Sequence, residues 1–62
     1  MSQLKFDLLR QLVTHYRTRS QDNHTIAQGC RDGDEFEFYD GLRAVWDQAA
    51  NDLESVLDKA EP

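Results

Sequence analysis

The most reactive side chain in this sequence is a single thiol near its middle. Cys30 stands beside Arg31, and a neighbouring cation can stabilise a thiolate. A lone cysteine in a turn is nevertheless usually inert, because a nucleophile also needs a base held against it. No other combination of side chains identifies a reaction, so we expect no catalytic residue and no enzymatic activity.

Carboxylates near the same point could bind a cation. Asp32, Asp34 and Glu35 resemble the start of a calcium loop, but the sixth position of such a loop requires glycine and is Glu37 here. The two histidines and one cysteine do not follow a zinc-finger spacing. The sequence therefore predicts no metal site and no cofactor.

Charge divides the chain into a basic half and an acidic half. Residues 1–31 hold five basic and two acidic residues, a net +3, and residues 32–62 hold two basic and ten acidic residues, a net −8. Arg10, Arg17 and Arg19 are the candidate contacts for an anion such as phosphate. The whole chain has a net charge of −5, which disfavours nucleic acid as a partner and leaves only the first helix as a route to it.

The length of the chain limits the size of its hydrophobic core. A chain of 62 residues makes one domain, over 1–62, and buries only about 60% of the surface that its unfolded form exposes. One cysteine allows no internal disulfide. We therefore expect stability to come from oligomerisation or from docking on a larger partner protein.

Apolar spacing predicts two helices. In the first half, Phe6, Leu9, Val13 and Tyr16 recur at intervals of three, four and three, which places them on one helical face. The same alternation continues through Ser20, Asn23 and Ala27. Ser2 is a suitable N-cap, and the predicted helix covers about residues 3–28.

The second helix is predicted over about residues 33–60, after a turn at 29–32. Asp32 is its N-cap, and Glu35 completes the Asp-x-x-Glu form of a capping box. A short turn forces the helices to be antiparallel neighbours. The predicted hairpin core contains the residues that alternate by three and four: Phe6, Leu9, Val13, Tyr16, Tyr39, Leu42, Trp46, Ala49, Leu53 and Val56.

A β-hairpin in the middle of the chain is the alternative. Glu35–Phe38 alternates charged and aromatic residues with period two, and Asp32-Gly33 is a common hairpin-turn dipeptide. Gly41 also lowers helix propensity by about 1 kcal/mol relative to alanine. The sequence favours an all-α antiparallel hairpin and leaves an α–β-hairpin–α arrangement open.

The predicted seam leaves apolar residues unmatched beside it. These candidate partner-interface residues are Leu8, Leu12, Phe38, Val45, Ala50 and Leu57. An apolar surface wider than the seam predicts further burial, in a dimeric four-helix bundle or on a larger protein. The acidic residues Asp40, Asp47, Glu54 and Glu61 recur every seven positions and are expected on an outer face.

Two segments near the middle resemble small helical proteins of tailed bacteriophages that are encoded among head and packaging genes. The segments are Thr25-Ile26-Ala27-Gln28-Gly29-Cys30 and Asp34-Glu35-Phe36-Glu37-Phe38-Tyr39-Asp40-Gly41-Leu42. The acidic, leucine-containing tail from Asp52 to Glu61 fits the same layout. The resemblance implies an all-helical fold, with Gly41 placed in a helix for close packing, and implies no catalytic residue.

Two functions follow as hypotheses. The first is a structural or assembly accessory of a phage particle that binds other proteins. The second is a small acidic regulator that inhibits a host enzyme, possibly by imitating nucleic acid, or a Rop-like RNA-binding dimer. No apolar run is long enough to span a membrane. The resemblance implies the host cytoplasm or the virion as the location.

Overall fold

The chain forms two α-helices joined by a short turn. The computed structural model describes residues 2–60, and the side chains of residues 4–60. Helix α1 spans Ser2–Gly29 and helix α2 spans Gly33–Ala60. Both predicted helices are confirmed to within about a residue at each end. The described residues contain no strand, so the α–β-hairpin–α alternative is wrong.

Side-chain capping explains why the middle of the chain is helical. The Asp34 backbone N–H donates a hydrogen bond of 2.9 Å to Asp32 Oδ1, and the Phe36 N–H donates one of 3.0 Å to the Asp32 carbonyl. Asp32 is therefore the N-cap of α2, as predicted, and its cap outweighs the period-two pattern that follows it.

Helix α1 ends through a tightened last turn. The Cys30 N–H donates a hydrogen bond of 3.1 Å to the carbonyl of Ala27, three residues earlier. No glycine in the described part of the chain has a positive φ, so Gly29 ends the helix without adopting a left-handed conformation. The predicted Ser2 cap involves a side chain outside those that the structure describes.

The two helices pack along a seam of small and medium-sized residues. On α1 the buried residues are seven apart: Val13, Ser20 and Ala27. On α2 the buried residues are Ala50 and Leu57, which are also seven apart. Phe6, Leu9, Tyr16 and Leu53 pack against this core, and the rings of Tyr16 and Trp46 lie 5.4 Å apart. Each α1 residue predicted for the seam is in this core or packs against it.

The predicted seam of α2 is wrong in part, because the helix is rotated by less than one residue position from the predicted orientation. Trp46 and Leu53 pack against α1 as predicted, but Ala50 and Leu57 take the buried places that were predicted for Ala49 and Val56. Val56, predicted to be core, is 60% exposed. Ala50 and Leu57, predicted to meet a partner, are 0% and 2% exposed within the hairpin.

Electrostatics and side-chain size both favour the observed rotation. The rotation buries leucine at position 57 in place of valine at position 56, a gain of one methylene group worth about 0.8 kcal/mol. It also turns the carboxylates of α2 toward Arg10 and Arg17, with which they form ion pairs. Asp47 and Glu54 are accordingly half-buried beside the seam, and the prediction that they lie on an outer face is wrong. Glu61, named in the same prediction, lies outside the described residues.

Gly41 lies in the middle of α2 on an exposed surface. A Cβ atom built at this position would have no neighbouring atom within 4 Å. The close packing at Gly41 that the phage resemblance implies is therefore absent from this hairpin.

The seam register predicts opposite effects for two adjacent substitutions. Leu57→Ala removes a buried side chain and should lower the free energy of unfolding by about 2–5 kcal/mol. Val56→Ala, the matched control, removes a side chain that is exposed in the single hairpin and should lower the free energy of unfolding of the monomer by less than about 1 kcal/mol. Urea denaturation followed by circular dichroism measures both. A larger loss for Val56→Ala than for Leu57→Ala would contradict the register.

Candidate protein interface

The hairpin has two broad faces, and its contacts define one of them. Arg10 Nη2 lies 3.2 Å from Asp58 Oδ1. Arg17 Nη2 lies 3.1 Å from Glu54 Oε1, and its Nη1 lies 3.8 Å from Asp47 Oδ1. We call this side, with Arg10, Arg17, Asp47, Glu54 and Asp58, the charged face. The basic and acidic halves of the sequence therefore pair within one chain.

Helical geometry identifies what lies on the opposite side. A residue that follows a seam residue is turned about 100° to one side of the helix, and a residue that precedes it is turned as far to the other. Arg10 and Arg17 follow the α1 seam residues Leu9 and Tyr16, and Asp47, Glu54 and Asp58 follow α2 seam residues in the same way. The residues that precede the seam residues therefore share the other face.

That other face is largely apolar. Its exposed members include Phe38 at 62%, Val45 at 64% and Val56 at 60% exposure. We call it the apolar face, and it contains Leu8, Leu12 and Ile26 of α1 with Phe38, Leu42, Val45, Ala49 and Val56 of α2. Polar residues also precede seam residues and interrupt this face: Lys5, His15, Arg19, Asp22 and Asp52. Several large apolar side chains exposed on one side of a small protein are typical of a site that another molecule covers.

The predicted partner interface agrees in part with the apolar face. The sequence placed Leu8, Leu12, Phe38 and Val45 outside the seam, and all four are exposed on the apolar face. The sequence missed Val56, because it assigned that residue to the core. The signal that could have identified it was Asp58, which follows Leu57 and forms an ion pair with Arg10 of α1.

The three candidate anion contacts do not converge. Arg10 and Arg17 lie on the charged face, where their guanidinium groups contact carboxylates of α2. Arg17 also donates a hydrogen bond of 3.3 Å to Asn51 Oδ1. Arg19 precedes the seam residue Ser20 and lies on the opposite side, where its Nε is 3.5 Å from His15 Nε2. The structure therefore does not assemble a three-arginine anion site.

The environment of Cys30 disfavours a reactive thiolate. Partial desolvation, together with the carboxylates of Glu35 and Asp32, raises the pKa of the Cys30 thiol above its usual value. The thiol also donates a hydrogen bond of 3.3 Å to the carbonyl of Ile26. The activation that the neighbouring Arg31 suggested is therefore opposed by the two acidic residues that begin α2.

The part of the chain that the structure describes offers no site of another kind. Within 2–60 the hairpin forms no pocket, and no three His, Cys, Asp or Glu side chains are grouped as metal ligands would be. Neither helix, as far as the structure describes it, is long and apolar enough to cross a membrane. Comparison of the chain with protein-family models, curated proteins and solved structures gives no match.

The charged face predicts a salt-dependent contribution from Arg17. Arg17→Gln should lower the free energy of unfolding by up to about 1 kcal/mol in low salt, because both partners remain partly exposed. Arg19→Gln is the matched control and should change it by less than about 0.5 kcal/mol. In 1 M NaCl the difference should shrink, since charges are then screened within about 3 Å. Equal losses for the two variants in low salt would contradict the assignment.

Proposed function

We propose that this chain is a non-enzymatic accessory protein of a tailed-phage type particle and acts through protein–protein contacts of its apolar face. The observation that carries the proposal is the exposure of Phe38, Val45 and Val56 on one side of a thin hairpin. The resemblance of residues 25–42 to small phage proteins supports the particle context. The host cytoplasm or the virion is the location that this role requires.

The contrast between the two faces supports a protein partner. On the charged face, the cations of α1 are already balanced by carboxylates of α2, so that face gains little from a further ligand. On the apolar face, large side chains remain in water, and each would be stabilised by roughly 1.5–3 kcal/mol on full burial. A protein surface is the partner that supplies such burial, whereas a nucleic acid presents mainly phosphates.

The regulatory alternative rests on the acidic second helix. Imitation of nucleic acid requires a row of free carboxylates, but Asp47 and Glu54 are paired with Arg17, and Asp40 is paired with Arg43 at 2.9 Å. RNA binding through α1 would require Arg10 and Arg17 to release their own partners. The pairing therefore favours a regulator that also uses the apolar face over one that uses its charges.

Site-specific photocrosslinking in the native cell tests the proposal. A photoreactive phenylalanine derivative in place of Val45 should capture a protein, because Val45 is at the centre of the apolar face. The same residue in place of Ser55, which is exposed and turned a further 100° away from that face, is the matched control. Mass spectrometry identifies each adduct.

The identity of the adduct distinguishes the two functions. A protein present in many copies in the particle supports the assembly role, and a single host enzyme selects the regulatory role instead. Equal crosslinking from positions 45 and 55, or no protein adduct from position 45, would contradict any function based on the apolar face.

A further inference from the structure

The hairpin is a single layer with more surface than a compact protein of its size. Its Cα atoms span 48 × 16 × 10 Å, so it is two helices wide and one helix thick. Its accessible surface is 4748 Å². A compact monomer of this mass exposes about 4,100 Å², and the excess of about 600 Å² approaches the roughly 800 Å² that each partner buries in a standard interface.

The apolar residues of α2 are arranged symmetrically about the middle of that helix. In an antiparallel pair of identical helices, facing residues have numbers with a constant sum. With a sum of 94, Phe38 faces Val56 of the second copy and Val45 faces Ala49, so that a larger side chain meets a smaller one each time. The centre is residue 47, next to the middle of Gly33–Ala60, so the two helices overlap along their whole length.

Charge is also complementary under this symmetry. Asp34 precedes Phe38 by four residues and Lys59 follows Val56 by three, which places both on the same edge of the apolar face. Both are exposed, and their numbers sum to 93, so each Lys59 lies beside Asp34 of the second copy at the two ends of the contact. Within this contact of α2 with α2, the one mismatch sets Leu42 opposite Asp52, whose Oδ1 already accepts a hydrogen bond of 2.8 Å from Gln48. The same symmetry sets α1 against α1 of the second copy, where Arg19 faces Leu12 and Lys5 faces Ile26.

We infer that a second copy of this chain covers the apolar face, with α2 packed antiparallel against α2 of the copy. The product is a four-helix bundle with the two turns at opposite ends. The inference rests on the proposed function and identifies the first partner of the apolar face. A partner of unrelated sequence would not require a face that is symmetric about its own centre.

The other two-fold arrangement of the same faces is less favourable. In that arrangement α1 lies against α2 of the second copy, and both turns are at the same end. Lys5 then lies at the level of Lys59 of the copy, because residues at one level in the hairpin have numbers that add to about 63. Like charges at that point repel each other.

The single cysteine of the natural chain distinguishes the two arrangements. A nitroxide attached at Cys30, in the turn, reports the distance between the two turns by double electron–electron resonance. Residue 33 is 14 helical residues from the centre at 47, and the turn adds a few ångströms, so the labels should be about 45 Å apart in the antiparallel bundle. With both turns at one end they would be within about 25 Å.

Light scattering after size exclusion measures the mass of the particle in solution and so tests whether a second copy is bound. The natural chain should have twice its 7.2 kDa mass at 100 μM. Val45→Glu should remove the dimer, whereas Ser55→Glu, the control outside the apolar face, should keep it. The label distance is measured on the natural sequence, so the inference stays testable even if Val45→Glu also unfolds the hairpin.

Each remaining outcome overturns a stated part of the inference. A dimer with labels within 25 Å overturns the antiparallel contact of α2 with α2. A folded monomer at 100 μM overturns the second copy as the occupant. A monomer whose position 45 still captures a different protein in the cell leaves the proposed function standing, so the two failures are distinguishable.

Discussion

Helix α2 carries apolar residues on more than one side of its axis, and α1 can cover only one of them. This constraint determines the rest of the structure. Leu42, Ala49 and Val56 form one apolar row with the seam residues, and Ala50 and Leu57 form another, turned by about 100°. Covering the second row buries Ala50 and Leu57 and leaves Val56 in water. The apolar face is thus the direct consequence of how the hairpin closes.

Small contributions to the free energy decide which row of α2 packs against α1. Burial of leucine at 57 in place of valine at 56 is worth about 0.8 kcal/mol, and each partly exposed ion pair between the helices is worth roughly 0–1 kcal/mol. These terms act in the same direction, because the rotation that buries Leu57 also brings Asp58 and Glu54 to the arginines. The hydroxyl of Ser20 adds a hydrogen bond of 3.0 Å to the Arg43 carbonyl across the seam. The charges therefore orient the helices, and the apolar residues that they leave outside become available to a partner.

The helices, the turn and the seam of α1 could be predicted from sequence because local signals determine them. Asp32 caps α2 with its own side chain, and the alternation of three and four from Phe6 to Ala27 fits one row of α1 only. The rotation of α2 about its axis could not be predicted from the sequence of α2 alone. Intervals of three and four residues fit the row that ends at Val56 as well as the row that ends at Leu57. The rotation depends on the arginines of α1, which are distant in sequence. Because this long-range dependence was not visible in α2, only half of the apolar face was predicted and Val56 was assigned to the core.

The contact between Val13 and the α2 seam is the most direct test of this account. In a two-dimensional nuclear Overhauser spectrum of the uniformly ¹³C-labelled chain, we expect intramolecular cross-peaks from the Val13 methyl groups to the Ala50 methyl group, both of which are buried in one cluster. In an equal mixture of labelled and unlabelled chain, cross-peaks between a labelled and an unlabelled methyl group arise from contacts between copies. Cross-peaks within one labelled chain are thereby distinguished from them. Cross-peaks from Val13 to Ala49, with Val56 rather than Leu57 in the same cluster, would contradict the account.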